Sequence, residues 1–335
     1  MVSHRLGING FGSIGRRALR IALQDPRWRD RLAVNHTQPP AMMAHLLAHD
    51  STYGRYPGTV VAEEHALVVD GHRVPVTAEL DPSRIPWRQE DVTIVLECTP
   101  KFRKRVEAAA HLAAGARLVI ISAAAKDDDL MVIYGVNHSR FDPNRHQVIS
   151  AGSCTTNALV PVLSVLDRSF GIERGLLTTV HSYTRDQSLV DGSHHDLRRA
   201  RTAGESIIPT STGAALAVKR VLPELEGRVT GLALRVPTPS VSIVDLSADL
   251  RQPASAEEIN AAFRSAATGD LKGVLAVEDE PLVSIDFRQN PHSAVVDSAL
   301  TLAVGTMVKV LAWYDNECAY AQRLIDLATY ADAAL

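Results

Sequence analysis

Cys154 lies in the segment Ala151-Gly152-Ser153-Cys154-Thr155-Thr156-Asn157, directly before a helical run from Leu159 to Leu166. This places its sulfur in the first turn of a helix, where unpaired N–H groups and the helix dipole favour a thiolate over a thiol. The chemistry expected of it is nucleophilic attack, although a lone cysteine is also simply a small buried residue. His181, on a predicted strand between Val180 and Ser182, is the imidazole that would serve as base and ion-pair partner if the fold brought it to Cys154, which spacing alone does not establish. Ser153, Thr155, Thr184, Thr212, Gly213 and Arg235 offer donors suited to phosphate groups, and each is equally an ordinary turn or strand residue.

A second constellation lies at the other end of the chain. Gly10-Phe11-Gly12-Ser13-Ile14-Gly15 follows the apolar run Arg5–Asn9 and precedes a periodic stretch through Ala18, Leu19, Ala22 and Leu23. Strand, tight turn and helix in that order let a glycine-rich backbone approach a pyrophosphate, which the helix N-terminus then receives. A glycine turn that serves only helix–strand packing would look the same. At the end of the second strand, where a carboxylate ordinarily holds the adenosine ribose hydroxyls, the chain reads Asn35-His36-Thr37. A histidine able to carry charge and a threonine hydroxyl would accommodate a ribose 2′-phosphate that a carboxylate repels. The alternative is that His36 faces solvent and NAD binds without that contact.

These residues need elements to hold them. Leu32–Asn35, Val92–Glu97 and Leu118–Ser122 are further short apolar strands, the last preceded by an Ala-rich helical stretch from Val106 to Ala114 that Gly115 ends. Strands alternating with helices predict a mostly parallel sheet covered on both faces. Beyond about Ser150 the strands lengthen and become β-branched, as in Leu176–Tyr183, Leu232–Val236, Val241–Leu246 and Met307–Trp313. They predict a second domain of α+β type with a mixed or antiparallel sheet. Ser255 and Glu258 form a capping-box start for one helix, and Tyr320 to Leu335 forms another.

The chain has 335 residues, enough for about two domains on the usual scale of roughly 100–200 residues each. Its 46% hydrophobic and 22% charged content excludes intrinsic disorder. A formal charge of −3 provides no global cationic field for nucleic acid or an anionic membrane. No run approaches the ~18 apolar residues of a membrane span. Met1-Val2-Ser3-His4-Arg5 leads straight into a strand without the layout of a secretory signal, so a cytoplasmic location is expected. The three cysteines are scattered, which suggests neither a disulfide framework nor a metal site.

Asn9-Gly-Phe-Gly-x-Ile-Gly-Arg16, Ser153-Cys-Thr-Thr-Asn157, Ile207-Ile-Pro-Thr-Ser-Thr-Gly-Ala-Ala215, Leu234-Arg-Val-Pro-Thr-Pro239 and Trp313-Tyr-Asp-Asn-Glu317 together resemble the phosphorylating glyceraldehyde-3-phosphate dehydrogenases, essentially end to end. The resemblance implies an α/β fold: a Rossmann-type doubly wound parallel sheet over 1–153, completed by a C-terminal helix at 317–335, and an α+β catalytic domain over 154–316 with a mixed, largely antiparallel sheet. It implies a homotetramer acting on a small phosphorylated aldehyde and inorganic phosphate with NAD or NADP, without a metal. Carried over by position, Cys154 is the nucleophile, His181 the base and Asn316 the holder of the nicotinamide carboxamide. Thr184 and Arg235, with Arg198, match the pocket for the substrate's phosphate, while Ser153, Thr155, Thr212 and Gly213 match the site of the attacking phosphate. Thr99 and Ser122 join the glycine loop, His36 and Thr37 in the cofactor set.

The sequence departs from the family pattern at Ser13, Pro100, Ala151 and Ala319, where Arg, Gly, Asn and Gly are usual. Pro100 removes a backbone donor at a strand end. Thr37 and Ser193 stand where members that accept NADP contact the 2′-phosphate, and His36 replaces the repelling acid, so NADP is the preferred expectation; Leu80 stands where those members carry a basic residue. Three enzymic alternatives remain at this stage: erythrose-4-phosphate dehydrogenase, toward which Pro281–Phe287 and Pro291–Asp297 lean; a specialised paralogue acting on an analogue; and a nonphosphorylating semialdehyde dehydrogenase. A cofactor-binding regulator that has lost turnover is the alternative of another class.

Overall fold

The computed structural model describes residues 4–335, so the start of the expected lead into the first strand, Met1–Ser3, lies outside the described residues. They fall into two compact units, residues 4–132, 138–152 and 321–335 in one and 133–137 with 153–320 in the other.

The first unit is built on a nine-stranded sheet in the order Leu130–Met131, Val148–Ser150, Leu118–Ile121, Val92–Glu97, Arg5–Asn9, Leu32–Asn35, His72–Thr77, Ala66–Val69, Val60–Glu63. Every pair as far as His72–Thr77 is parallel, and the last two strands return as an antiparallel meander. Parallel strands are covered on both faces, which explains why Leu6, Ile8, Val34, Ile94, Leu96, Leu118 and Ile120 are each at most 1% exposed. The chain first builds outward from Arg5–Asn9 through Leu32–Asn35 and later returns to place Val92–Glu97 on its other side. That reversal makes the carboxyl ends of these strands the topological switch point, where open α/β sheets take ligands.

The stretch expected to be one helix from Val106 to Ala114 is two single turns, Arg105–Ala108 and Ala110–Ala113. The Leu112 amide bonds the Ala109 carbonyl three residues back, a tightened i→i+3 arrangement, and His111 at this turn points into the core with no exposed surface. Gly115, at φ +124°, ends the stretch as expected.

The second unit carries an eight-stranded sheet in the order Ile208–Ser211, Val229–Val236, Ile172–Ser182, Ser242–Leu250, Met307–Tyr314, Ala294–Asp297, Leu275–Glu278, with Leu302–Val304 paired beside Met307–Tyr314. It is mixed: Ile172–Ser182 runs parallel to Val229–Val236, Leu275–Glu278 runs parallel to Ala294–Asp297, and the remaining pairs are antiparallel. The helix Cys154–Phe170 is buried from Thr155 to Leu166, and Ser255–Glu258 forms the expected capping box on Ala256–Thr268. The C-terminal helix runs from Cys318 to Asp332. No helix among the described residues is long and apolar enough to cross a membrane.

Candidate active site

Cys154 is the first residue of its helix, and Ser153 caps it by accepting the Thr156 amide on its hydroxyl at 3.1 Å. His181 is the penultimate residue of Ile172–Ser182, and the register of the parallel pair sets it directly beside Arg235. The two elements bring Cys154 Sγ to 3.4 Å from His181 Nε2. Strand pairing and the helix start therefore supply the juxtaposition that spacing could not.

The other ring nitrogen decides what the imidazole does. His181 Nδ1 lies 2.6 Å from the Ser182 carbonyl oxygen and 2.7 Å from Arg235 Nη1, which also reaches that carbonyl at 3.2 Å. If Nδ1 carries the proton it donates to Ser182, and Nε2 turns a lone pair toward the thiol. If Nδ1 accepts from Arg235, Nε2 carries the proton and becomes a donor at the same spot. The site therefore accommodates either neutral tautomer, with Nε2 as acceptor or as donor, without moving the ring. Tyr314 fixes the ring from the side: it stands edge-on to His181 with centroids 5.9 Å apart, and its hydroxyl lies 2.9 Å from both Thr155 Oγ1 and Thr179 Oγ1.

Burial dominates the electrostatics. It pushes the Cys154 thiol above its ordinary value, with the Arg235 charge and the Thr155 and Cys154 amides pulling the other way. It also holds His181 down at about 3, with Arg235 adding to the effect. The expectation of a thiolate thus meets an opposing effect. The helix amides and the Arg235 charge act in the predicted direction, while desolvation acts against the charged form of the thiol and of the imidazole.

Arg235 is the cation of this site. Its Nε is buried without a hydrogen-bond partner among the described residues, an unspent donor. The guanidinium that acts on both His181 and Arg235 is Arg199, not the expected Arg198. Arg199 is bound to Thr210 Oγ1 at 2.8 Å, to Ser211 O at 3.2 Å and to Asp186. Arg198 is exposed and lines an open cleft of about 440 Å³ with Asp196, Pro209, Thr210, Ser211 and Leu232. The reason is one of rotation along the chain, since adjacent residues of a turn face different ways and the sequence offers two arginines side by side. Thr184 is half-buried, its amide held by Gln187 Oε1 at 3.0 Å. Thr212 and Gly213 start the helix Ala214–Val221, with the Thr212 hydroxyl accepting the Ala214 amide at 3.2 Å. Ser193 is exposed in the segment between Tyr183 and Arg201.

Asn316 is buried, and its Oδ1 accepts from Ser182 Oγ at 2.8 Å and from Ser242 Oγ at 3.4 Å. Its amide donors are therefore the atoms left to meet a ligand. Ser242 also accepts the Ser182 amide at 3.0 Å and follows Val241, a β-branched residue at φ +67°. That conformation is costly for valine and aims the serine. Ser182, Ser242, Tyr314 and Arg199 were missed from sequence. Tyr314 lies inside the motif Trp313–Glu317 and Arg199 adjoins Arg198, but nothing in a single sequence says which of these side chains faces the site.

In the first unit, Gly10 at φ +97° packs so closely that a Cβ would lie 2.8 Å from Thr99 Cγ2, and a Cβ on Gly15 would overlap the Gly10 carbonyl oxygen. Gly12 differs, for a Cβ there would meet nothing within 4 Å. No protein neighbour requires that glycine, and the open cradle beside the start of Ser13–Gln24 fits a dinucleotide pyrophosphate. Ser13 and Ile14 form the first turn of this helix. His36 is not simply turned to solvent: its Nδ1 accepts the Phe11 amide at 3.3 Å, so in this arrangement that nitrogen carries no proton. Thr37 is exposed, Thr99 donates its amide to Glu97 Oε1 at 2.6 Å, and the Ser122 hydroxyl bonds the Cys98 thiol.

A cysteine–imidazole pair beside a partly buried arginine, on a chain that also carries a dinucleotide cradle, fits an oxidoreductase with a thiol in its site. Two family models match, described as glyceraldehyde 3-phosphate dehydrogenase, NAD binding domain, over residues 4–105 and glyceraldehyde 3-phosphate dehydrogenase, C-terminal domain, over residues 153–316. The chain is 52% identical over 327 residues, 97% of each chain, to glyceraldehyde-3-phosphate dehydrogenase 1 of Bacillus subtilis, and equally to the enzyme of Geobacillus stearothermophilus. It is 46% identical over 327 residues to glyceraldehyde-3-phosphate dehydrogenase 2 of Streptomyces avermitilis. The chain belongs to the glyceraldehyde-3-phosphate dehydrogenase family.

Proposed function

We propose that the protein oxidises glyceraldehyde-3-phosphate with inorganic phosphate and a nicotinamide dinucleotide to 1,3-bisphosphoglycerate. The observation that carries this reading is the 3.4 Å approach of Cys154 Sγ to His181 Nε2 beside Arg235. Cys154 Sγ bonds the aldehyde carbon; its proton passes to Nε2 of the neutral imidazole and on to the carbonyl oxygen, giving a thiohemiacetal. The bound nicotinamide supplies one thing, acceptance of the hydride from that carbon. His181 takes the hydroxyl proton as the thioester forms, and a thioester keeps the redox energy that water would dissipate. Phosphate then attacks the acyl carbon, the C–S bond breaks, and the departing sulfur recovers its proton from the imidazolium. Arg235, with its spare buried donor, and Thr184 suit the substrate's own phosphate, while Ser153, Thr155, Thr212 and Gly213 suit the attacking one. Thr212-Gly213 favours the glyceraldehyde substrate over erythrose-4-phosphate. Gly10, Gly12 and Gly15 would hold the pyrophosphate, and the amide donors of Asn316 the carboxamide. The test is absorbance at 340 nm with aldehyde and cofactor, phosphate present or absent; turnover that ignores phosphate would sink the reading.

The domain limits 1–153 with 317–335 and 154–316, a cytoplasmic location and a homotetramer belong to the same reading. Leu302, Val304 and Met307, 58%, 78% and 59% exposed on one strand pair, support a further interface. NADP is the cofactor this reading prefers, because His36 and Thr37 replace an acid that would repel a 2′-phosphate. Leu80, 69% exposed, adds no cation. A kcat/KM clearly higher with NAD than with NADP removes the preference. His36→Asp is expected to shift the ratio toward NAD by about tenfold or more, the scale of placing a carboxylate against a phosphate.

A further inference from the structure

The cross-strand register sets Asn35, Asn9 and Glu97 side by side as the last paired rung of three adjacent parallel strands. Directly beyond this rung the chain enters His36, the Gly10 loop and the Cys98-Thr99-Pro100 turn. All three side chains are buried, and they are joined in a line: Asn35 Nδ2 donates to Asn9 Oδ1 at 2.8 Å, and Asn9 Nδ2 donates to Glu97 Oε2 at 2.6 Å. At the near end Asn35 Oδ1 accepts the Thr77 hydroxyl and the Glu79 amide, each at 2.9 Å. At the far end Glu97 Oε1 accepts the Thr99 amide at 2.6 Å, and Oε2 lies 2.9 Å from His111 Nε2.

The tautomer of His111 is fixed by a group that can only donate. Trp87 Nε1 lies 2.9 Å from His111 Nδ1, so Nδ1 accepts and Nε2 carries the hydrogen toward Glu97. Among the described residues, every hydrogen-bond partner of the Glu97 carboxyl is then a donor. The group has no exposed surface and is held by three N–H groups, with no cation among its described partners.

A buried uncompensated anion is a poor way to gain stability. Its charge-assisted bonds are, however, shorter and more directional than neutral ones, and they end on the turns a dinucleotide must meet. Gly10 packs against Thr99, whose amide Glu97 holds, and the Gly10 amide bonds the Asn35 carbonyl at 2.9 Å. We propose that the row Asn35–Asn9–Glu97, locked by His111 and Trp87, is a positioning device that sets the three cofactor-facing turns before the dinucleotide arrives. Glu97 acts through Thr99 and Asn9 and touches no reacting atom. The proposal rests on the dinucleotide reading of the glycine loop.

Glu97→Gln is the sharpest test. A carboxamide has one accepting atom for two donor-lined sides, and His111 cannot turn its tautomer to help while Trp87 donates to Nδ1. The full-length variant should bind NAD or NADP, whichever the parent prefers, with a Kd raised about tenfold or more in a direct calorimetric titration, the loss equivalent to one charge-assisted bond. Its kcat at saturating cofactor should stay near the parent's. Adding Trp87→Phe frees the imidazole to present an acceptor and should recover part of the binding, which a general loss of packing would not. If Glu97→Gln does not fold, Asn35→Ala at the other end of the row should show the same split of raised Kd and unchanged kcat. A Kd within twofold of the parent in a folded variant overturns the proposal, and so does a fall in kcat that matches the rise in Kd. Failure of the parent to bind either dinucleotide would instead overturn the reading beneath it.

Discussion

Cys154 Sγ and His181 Nε2 face each other at 3.4 Å, so the useful property of the pair is proton exchange at one fixed spot. Cys154→Ala should abolish turnover. His181→Asn should lower kcat by on the order of 10²–10⁴, the usual contribution of a positioned base, with folding intact by circular dichroism. Arg235 is the charge that pulls the thiol back down against burial. Arg235→Leu should therefore slow alkylation of Cys154 at pH 7 and move its pH profile upward, quite apart from any loss of substrate affinity. An unchanged alkylation rate would mean that the guanidinium does not act on the sulfur. The nucleophile and base were legible as residue types, because a cysteine before a helix and a histidine late in a strand are unusual placements. Their meeting was not legible, since it depends on how the helix start at Cys154 folds back against the end of the strand Ile172–Ser182, which spacing does not give.

The glycine loop separates the needs of the chain from those of a ligand. Gly15→Ala drives a methyl into the Gly10 carbonyl and should cost about 1–3 kcal/mol in denaturant unfolding, as overpacked sites do. Gly12→Ala places its methyl with no described neighbour within 4 Å, so it should leave unfolding nearly unchanged while raising the Kd for dinucleotide. If both variants behave alike, the distinction fails. This strand–turn–helix unit was readable because it is local: its glycines, apolar run and periodicity lie within about twenty residues. The polar row behind it was not. Asn9 and Glu97 end apolar runs and His111 sits in an Ala-rich stretch, so each looks like an interruption until the sheet register aligns them. Likewise the parallel pair inside the second sheet leaves no mark on the alternation of either strand.

Taken as a whole, the chain shows its buried chemistry in its response to acid. An imidazole held at about 3 when folded and near 6.5 when unfolded gains its proton only in the unfolded chain between those values. The stability tied to His181 is therefore complete above pH 6.5 and falls as the pH drops toward 3. His181→Asn should flatten the fall in the urea midpoint between pH 7 and 5; an equally steep fall in the variant would assign the acid sensitivity elsewhere. Composition located none of this, although it did separate a folded two-domain chain from disordered or strongly cationic ones. The remaining sulfurs add a practical consequence. Burial and the Glu97 charge push the Cys98 thiol to about 12, and the Cys318 thiol is buried and directed at the Gln289 carbonyl. Cys154 alone has Arg235 to pull its thiol down and an imidazole at 3.4 Å to take its proton. Among the described cysteines, a mild electrophile at neutral pH should accordingly leave a single adduct per polypeptide, and the mass gained by a sample becomes a census of its working molecules that needs no knowledge of the aldehyde they consume.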